Sequence, residues 1–241
     1  MFHPKGPSLI ELAEQALSST DRGYDLLAPK FEYTPSRTPD ALLQAVQPYI
    51  GEQGSIESGL DVCCGTGAAA RMLHPLCRSR VVGVDRSEGM LAEAQRLSAK
   101  LPDEADITFL QEDALSLPFD QAFDVAVSFG AFGHILPKDE AAFVASIFRA
   151  LKPGGRFVFV TGRMPPLTSR WYWAARGFNA VMRVRNAFIS PPFIMYYLTF
   201  LWPDIKTKLE DVGFEVSVQE GLFESPFRRA ILVTARRPAN Q

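Results

Sequence analysis

LDVCCGTG, residues 60–67, is a short apolar run that ends in a glycine-rich turn, and a small-residue segment with helical spacing follows it over 66–77. Gly65 and Gly67 allow the chain to turn tightly and a ligand to lie close to the backbone. The following helix would present unpaired N–H groups to an anionic group such as a carboxylate. Because glycine-rich turns are common, this segment alone is compatible with nucleotide binding but does not establish it.

Helix-like and strand-like segments alternate along the rest of the chain. The apolar spacing predicts helices over 39–50, 66–77, 138–151 and 204–212, with a further helix that has Ser87 as its N-cap. Strands are predicted over 58–63, 80–84, 107–113, 123–129 and 156–162, followed by a terminal pair at 214–219 and 230–236. Short buried strands that alternate with helices predict an α/β fold with a mostly parallel sheet covered on both faces.

Acidic residues follow the second and third predicted strands. Asp85 comes 20 residues after Gly65 and either accepts hydrogen bonds from both hydroxyls of a ribose or caps the next helix. Glu112 and Asp113 end the third strand, where an acid either accepts from an adenine amino group or is a solvated loop residue. Met90 is a candidate to pack on an adenine face or in the core. Because ligands of such sheets bind at the carboxyl ends of the strands, these residues predict a single site.

Five linked segments carry a family resemblance over residues 38–161. They are LDVCCGTG, VVGVDRSEGML (81–91), FLQEDALSLPF (109–119), FDVAVSFGAFGHI (123–135) and LKPGGRFVF (151–159). Their order and spacing resemble class I S-adenosylmethionine-dependent methyltransferases of the type 11-like, small-molecule branch that includes ubiquinone and menaquinone biosynthesis enzymes. One departure is Cys63, which stands where the family often has glycine.

The resemblance implies a Rossmann-like open sheet with an antiparallel C-terminal strand, a helical lid insert, and S-adenosylmethionine as cofactor. Asp61 would bind near the methionine amino group, with the turn at Cys63, Gly65 and Gly67 around it. The methionine part and the methyl group would lie beside Ser128 and Phe129.

The resemblance also implies the residues of the adenosine end. Asp85 would hold the ribose, and Arg86 and Met90 would lie beside the adenosine. Asp113 and Ala114 would lie at the adenine.

Histidine and tyrosine side chains are the candidates for chemistry at the methyl group. His134, just beyond the fourth strand, is placed to act as a base or to orient the acceptor, or else is a hydrogen-bonded packing residue. Tyr24 and Tyr33 lie in a segment, 1–37, that resembles the N-terminal helical cap of this branch. Either tyrosine would shield the sulfonium through cation–π attraction, or pack as an ordinary helix residue.

Residues 162–203 interrupt the α/β domain, which the sequence predicts to consist of 38–161 and 204–241. The segment contains ten aromatic residues and five arginines but no acidic residue. An aromatic and arginine-rich lid suits a hydrophobic acceptor with an anionic portion. A helical extension packed on the sheet or on a second subunit is the alternative, and peripheral contact with a membrane surface is a third.

Composition restricts the classes of binding partner that we expect for this chain. A formal charge of −2 and a pI near 6.0 predict no binding to nucleic acid. Three cysteines without paired spacing predict neither a disulfide framework nor a metal site, and suit a cytoplasmic protein. His3 and His74 are predicted to be surface residues. The chain is expected to be a monomer or a homodimer.

The sequence therefore predicts a methyltransferase that acts on an oxygen or carbon nucleophile of a small lipophilic acceptor. Two alternatives remain. A dehydrogenase that binds NAD would use the same glycines and Asp85, but it explains neither Asp61 nor the segment LKPGG. A non-catalytic nucleotide- or cofactor-binding protein would bind the same cofactor without turnover.

Overall fold

The computed structural model describes residues 3–102 and 105–239. The helices are α1 Leu9–Leu17, α2 Thr20–Leu27, α3 Asp40–Ile50, α4 Ala68–Leu73, α5 Glu88–Ser98, α6 Glu140–Ala150, α7 Arg170–Phe188 and α8 Asp204–Val212. The strands are β1 Ile56–Val62, β2 Cys77–Asp85, β3 Asp106–Gln111, β4 Phe123–Ser128, β5 Leu151–Gly162, β6 Glu215–Gln219 and β7 Ala230–Arg236. Short 3-10 turns lie at Ala28–Tyr33, His74–Leu76, Ala114–Ser116 and Phe132–His134.

All seven strands form one sheet in the order β3-β2-β1-β4-β5-β7-β6. The first five are parallel neighbours, whereas β7 runs antiparallel to both β5 and β6. This confirms the predicted open, mostly parallel sheet with an antiparallel strand near the C-terminus. The order reverses between β1 and β4, so a crevice opens beyond the carboxyl ends of these strands.

The two faces of the sheet are buried against different helices. On one face, Phe123 and Phe157 pack with Phe143 of α6, and all three side chains are fully buried. On the other, Val125 packs with Val46 of α3. Strands covered on both faces are buried at consecutive rather than alternate residues, which is the pattern over 58–62 of β1 and 125–128 of β4.

The N-terminal segment is fixed to the carboxyl edge of the sheet by acidic side chains. The Asp25 carboxylate accepts hydrogen bonds from Ser87 Oγ at 2.6 Å and from the Gly89 N–H at 2.9 Å, at the start of α5. Glu32 accepts from Thr66 Oγ1, in the glycine turn, at 2.6 Å. The N-terminal helices thus cover the turns that follow β1 and β2.

Two predictions around α4 were wrong. The helix covers only Ala68–Leu73, because Pro75 lies in a 3-10 turn and β2 already begins at Cys77. His74 is buried rather than exposed, with Nε2 3.0 Å from the carbonyl oxygen of Ala105. The predicted N-cap Ser87 is confirmed, since its hydroxyl accepts from the Met90 N–H at 3.1 Å.

Cys63 adopts an unusual backbone conformation at the end of β1. Its φ of 57° lies in the left-handed region, which costs a residue with a side chain about 1–2 kcal/mol. The departure from glycine noted in the sequence therefore falls where the backbone favours glycine. Cys64, the next residue, lies outside this region.

We expect the preference between glycine and alanine to reverse between these two cysteines. Cys63→Gly should be at least as stable as Cys63→Ala, because relief of the left-handed strain offsets the greater entropy of the unfolded glycine chain. At the neighbouring position, Cys64→Gly should be less stable than Cys64→Ala by about 0.5–1 kcal/mol. Urea unfolding of the four variants measures both differences, and the same order at both positions would contradict the strain at Cys63.

Candidate functional site

A cavity of about 1450 Å³ lies at the carboxyl edge of the parallel strands. Most of the predicted site residues line it: Tyr24, Asp61, Cys63, Gly65, Asp85, Arg86, Met90, Asp113, Ala114, Phe129 and His134. The fold thus brings residues from five separate parts of the chain to one crevice. Pockets that hold one drug-sized ligand are about 300–1,000 Å³ in volume, so this cavity has room for two molecules.

Asp61 is the deepest acid of the site. It is 2% exposed, and its Oδ2 accepts a hydrogen bond from the Ala70 N–H, in the first turn of α4, at 2.8 Å. The sequence led us to expect these helical N–H groups to bind a ligand anion. The Ala70 N–H instead donates to the protein's own Asp61, because this residue of β1 lies beside the start of α4.

Asp85, at the end of β2, joins the glycine turn to α5. One carboxylate oxygen accepts from the Gly65 N–H at 2.9 Å and the other from the Ser87 N–H at 3.0 Å. Gly65 has a φ of 52°, and a side chain there would meet nothing within 4 Å. The space above this glycine is open, as the close approach of a ligand to the backbone requires.

Two carboxyl groups, those of Asp61 and Asp85, lie on the cavity floor, and both resist ionisation. Burial raises the pKa of Asp61 to about 8, and the nearby charge of Asp85 adds to the shift. Burial likewise raises the pKa of Asp85, although hydrogen bonds from the Ser87, Gly65 and Arg86 N–H groups oppose it. Such carboxyl groups become easier to ionise when a cation binds beside them.

The adenosine end predicted from the sequence forms one wall of the cavity. Met90 is 1% exposed and lines the cavity, so its side chain is both a core residue and part of the wall. Asp113 accepts from the Leu115 N–H at 2.9 Å, and its carboxylate lies 3.9 Å from the Arg86 guanidinium. Arg86 also pairs with Asp21 of α2 at 2.9 Å, which joins this wall to the N-terminal cap.

His134 and Tyr24 form a hydrogen-bonded pair in the cavity. The Nδ1 of His134 lies 2.5 Å from the carbonyl oxygen of Ile194, which only accepts, so Nδ1 carries the proton. Nε2 is therefore an acceptor, and the Tyr24 hydroxyl donates to it at 2.8 Å. Burial lowers the pKa of His134, and burial together with the charge of Asp85 raises the pKa of Tyr24. Both groups are neutral at pH 7.

Three candidate residues lie outside the lining. Gly67 has a φ of 79°, and a side chain there would meet the Phe109 ring at 3.0 Å, so this glycine serves the turn and the packing of α4. Ser128 is fully buried, with no hydrogen-bond partner for its hydroxyl among the described residues. Tyr33 also lies outside the lining and stacks on His3 with ring centroids 4.9 Å apart.

Other lining residues were missed by the sequence reasoning. The loop between β6 and β7 contributes Glu220, Arg228 and Arg229. No motif marks this loop, because its position depends on the antiparallel pairing of β7 with β5. The aromatic segment 162–203, which composition did single out, contributes Trp171, Tyr196 and other residues.

Comparisons with known proteins support the same family. Residues 60–155 match the family model described as a methyltransferase domain. A demethylmenaquinone methyltransferase from Lactococcus lactis is 42% identical over 115 residues, which cover 45% of this chain and 43% of the relative. The ubiquinone/menaquinone biosynthesis C-methyltransferase UbiE from Escherichia coli O1:K1 is 30% identical, with 65% of each chain covered. These matches confirm the resemblance to class I methyltransferases.

The fold is shared by solved structures of low sequence identity. The structure described as a DhpI–SAH complex superposes with a TM-score of 0.65 and 20% identity, over 96% of this chain and 99% of that one. A methyltransferase-like structure from Bacillus halodurans superposes with a TM-score of 0.58 and is 19% identical in sequence. The match covers 81% of this chain and 98% of that one. The chain spans about half the length of the curated demethylmenaquinone methyltransferases that it matches.

Replacing Asp61 by asparagine should stabilise the folded protein near neutral pH. The carboxyl group ionises near pH 4 in the unfolded chain and near 8 in the fold, so the wild type loses stability as pH rises between these values. Asparagine keeps an oxygen for the Ala70 N–H but does not ionise. The stability gain of Asp61→Asn should therefore grow from pH 4 to 8, by at most about 1.4 kcal/mol per pH unit. Urea unfolding at several pH values measures it.

Asp124→Asn is the matched control with the opposite sign. Burial of Asp124 is outweighed by hydrogen bonds from Lys152 and Ser58, so its pKa is lowered and its stabilising effect is present above the unfolded pKa. This variant should be less stable than the wild type at pH 7, and the difference should shrink in acid. A pH-independent gain for Asp61→Asn would contradict the burial of a charged group there.

Proposed function

We propose that this protein is an S-adenosylmethionine-dependent methyltransferase that methylates an oxygen or carbon nucleophile of a small lipophilic acceptor. The observation that carries the proposal is the pair of carboxyl groups, buried Asp61 and partly buried Asp85, on the floor of a cavity large enough for two molecules. Such a floor favours a ligand with positive charge, as the sulfonium and ammonium groups provide.

The same observation disfavours the dehydrogenase. A dinucleotide places its pyrophosphate at the N–H groups of the first helix, but the Ala70 N–H there already donates to Asp61. The sheet order is also different, since an antiparallel strand separates β5 from β6, whereas the dinucleotide-binding sheet continues in parallel.

When bound, the cofactor supplies an electrophilic methyl group on a sulfonium. In our proposal Asp61 and the turn at Cys63 and Gly65 hold its methionine end, and Asp85 binds the ribose hydroxyls. Met90 and Asp113 bind the adenine. The protein's task is then to align the acceptor and exclude water, because the displacement itself needs no covalent help.

The acceptor would occupy the part of the cavity lined by residues 162–203. This wall is apolar and aromatic, with Met164, Trp171, Ile194 and Met195 among its members. We infer that 162–203 is a lid over a lipophilic acceptor, and that residues 1–37 cover the cofactor. The relatives named above for demethylmenaquinone and ubiquinone/menaquinone make a quinol the first acceptor to test.

In our proposal Tyr24 and His134 remove a proton from the acceptor. Nε2 of His134 already accepts the Tyr24 hydroxyl hydrogen, so a proton passed to the tyrosine oxygen can move on to the imidazole. The resulting imidazolium would keep Nδ1–H on Ile194 and lie near the charge of Asp85, which favours the protonated form.

Calorimetry and a turnover assay test the proposal. We expect S-adenosylmethionine and S-adenosylhomocysteine to bind and NAD to give no heat. Asp61→Asn should weaken the binding of S-adenosylmethionine by about 1.5–3 kcal/mol, because the substitution removes a charge-assisted contact. Incubation with quinols and phenols should release S-adenosylhomocysteine. Binding without turnover on any acceptor would favour the non-catalytic alternative, and binding of NAD alone would overturn the proposal.

Tyr24→Phe and His134→Asn should each lower kcat by about 100- to 10,000-fold with little change in cofactor affinity, because proton transfer rather than binding is impaired. Tyr33→Phe is the matched control, since this tyrosine lies on the same N-terminal segment but outside the cavity. Unchanged kcat in both cavity variants would leave His134 with only a packing role.

A further inference from the structure

Helix α7 exposes apolar side chains along one face. Trp173, Val181, Val184 and Phe188 are 62%, 66%, 59% and 86% exposed, and Gly177 continues the same stripe at helical spacing. The buried residues of α7 are Ala175, Asn179 and Met182 on the opposite face. A surface helix normally buries its apolar stripe, so this orientation is reversed.

The inward face explains the orientation of the helix. The Asn179 side chain donates to the carbonyl oxygen of Tyr197 at 2.7 Å and accepts from the Tyr197 N–H at 2.8 Å. Asn186 makes the equivalent pair of bonds with the backbone of Phe193. These polar contacts join α7 to the segment that lines the cavity. The apolar stripe on the opposite face of the helix therefore points towards solvent.

Neighbouring segments extend the stripe into a patch. The Trp173 indole N–H donates to the carbonyl oxygen of Leu167, whose side chain is 67% exposed. Arg185 donates to the carbonyl oxygens of Ala16 and Ser18, which brings Leu17 of α1, 60% exposed, beside the end of α7. We call this surface the outer patch: Leu17, Leu167, Trp173, Val181, Val184 and Phe188.

Positive side chains border the outer patch. Arg176 and Arg183 are two helical turns apart on one flank of α7, and Arg170 lies at its start. Within residues 3–102 and 105–239 these three arginines form no ion pair. The whole segment 162–203 has no acid to neutralise them. An apolar stripe with a basic flank is the pattern of a helix that lies in the headgroup region of a membrane.

We propose that the outer patch docks on an anionic lipid surface. In an isologous dimer formed through the same patch, the unpaired arginines of one copy would lie near those of the other. Repulsion between these like charges disfavours a second copy as the partner. Lipid phosphates complement these arginines instead. No helix in the described part of the chain combines the length and apolarity to cross a membrane, so α7 would lie in the interface.

The patch is continuous with the cavity. Met164 and Trp171 line the cavity and are 47% and 55% exposed, and they flank Leu167 in the chain. A docked protein would place this side of the cavity near the bilayer, where a lipophilic acceptor dissolves. This consequence rests on the proposed function, whereas the docking itself does not.

Vesicle flotation of the full chain tests the docking. We expect binding to vesicles of phosphatidylcholine mixed with phosphatidylglycerol, much weaker binding to phosphatidylcholine alone, and weakening by salt. The double variant Trp173→Ser/Phe188→Ser should lose at least tenfold in partitioning, and Arg176→Gln/Arg183→Gln should lose the preference for the anionic lipid. Tyr49→Ser and Arg96→Gln, exposed residues outside the outer patch, are the matched controls.

Calorimetry with S-adenosylhomocysteine, run on every variant, separates this proposal from the methyl transfer. Retained cofactor binding with lost vesicle binding supports the docking alone, even if no acceptor is ever methylated. Equal flotation of wild type and both double variants would overturn it. A wild-type dimer that Trp173→Ser/Phe188→Ser dissociates, without any vesicle binding, would assign the outer patch to a second copy.

Discussion

Two acidic side chains at the carboxyl edge of the sheet, buried Asp61 and partly buried Asp85, set the geometry of the site. A buried carboxylate is stable only with hydrogen-bond donors, and the donors here are the N–H groups of Gly65, Ala70 and Ser87. To supply them the chain must turn sharply between β1 and α4, which places Cys63 and Gly65 at positive φ. The conformation of the glycine turn and the start of α5 therefore depend on Asp61 and Asp85.

The cover of the cavity is joined by bonds between segments that are far apart in sequence. Ile194 donates its N–H to Thr20 Oγ1 at 2.7 Å, and its carbonyl oxygen accepts from His134. Tyr24 of α2 completes the junction through His134. The N-terminal cap, the turn after β4 and the segment 162–203 therefore meet at one histidine, so a change in any of the three alters the same wall.

Two features of this molecule depart from the arrangement that folding stability alone favours. The raised pKa of Asp61 marks a carboxyl group whose ionisation costs free energy in the fold, and a cationic ligand would offset that cost. The apolar side chains on the outside of α7 are a second exception to ordinary burial, because the polar contacts of Asn179 with Tyr197 determine which face points inward. Both exceptions fall in or beside the cavity, where violations of the usual rules are expected.

The sequence by itself determined the strand and helix order, the glycine turn, the acids at the strand ends and the Ser87 cap, since these follow from local periodicity and capping chemistry. It placed most of the predicted site residues in the cavity lining for the same reason: parallel strands end at one edge. It did not distinguish Tyr24 from Tyr33, nor show that Gly67 packs against Phe109. Those outcomes depend on contacts between distant segments, which only the tertiary structure decides. The same holds for the position of the loop with Arg228 and for the outward direction of the apolar stripe on α7.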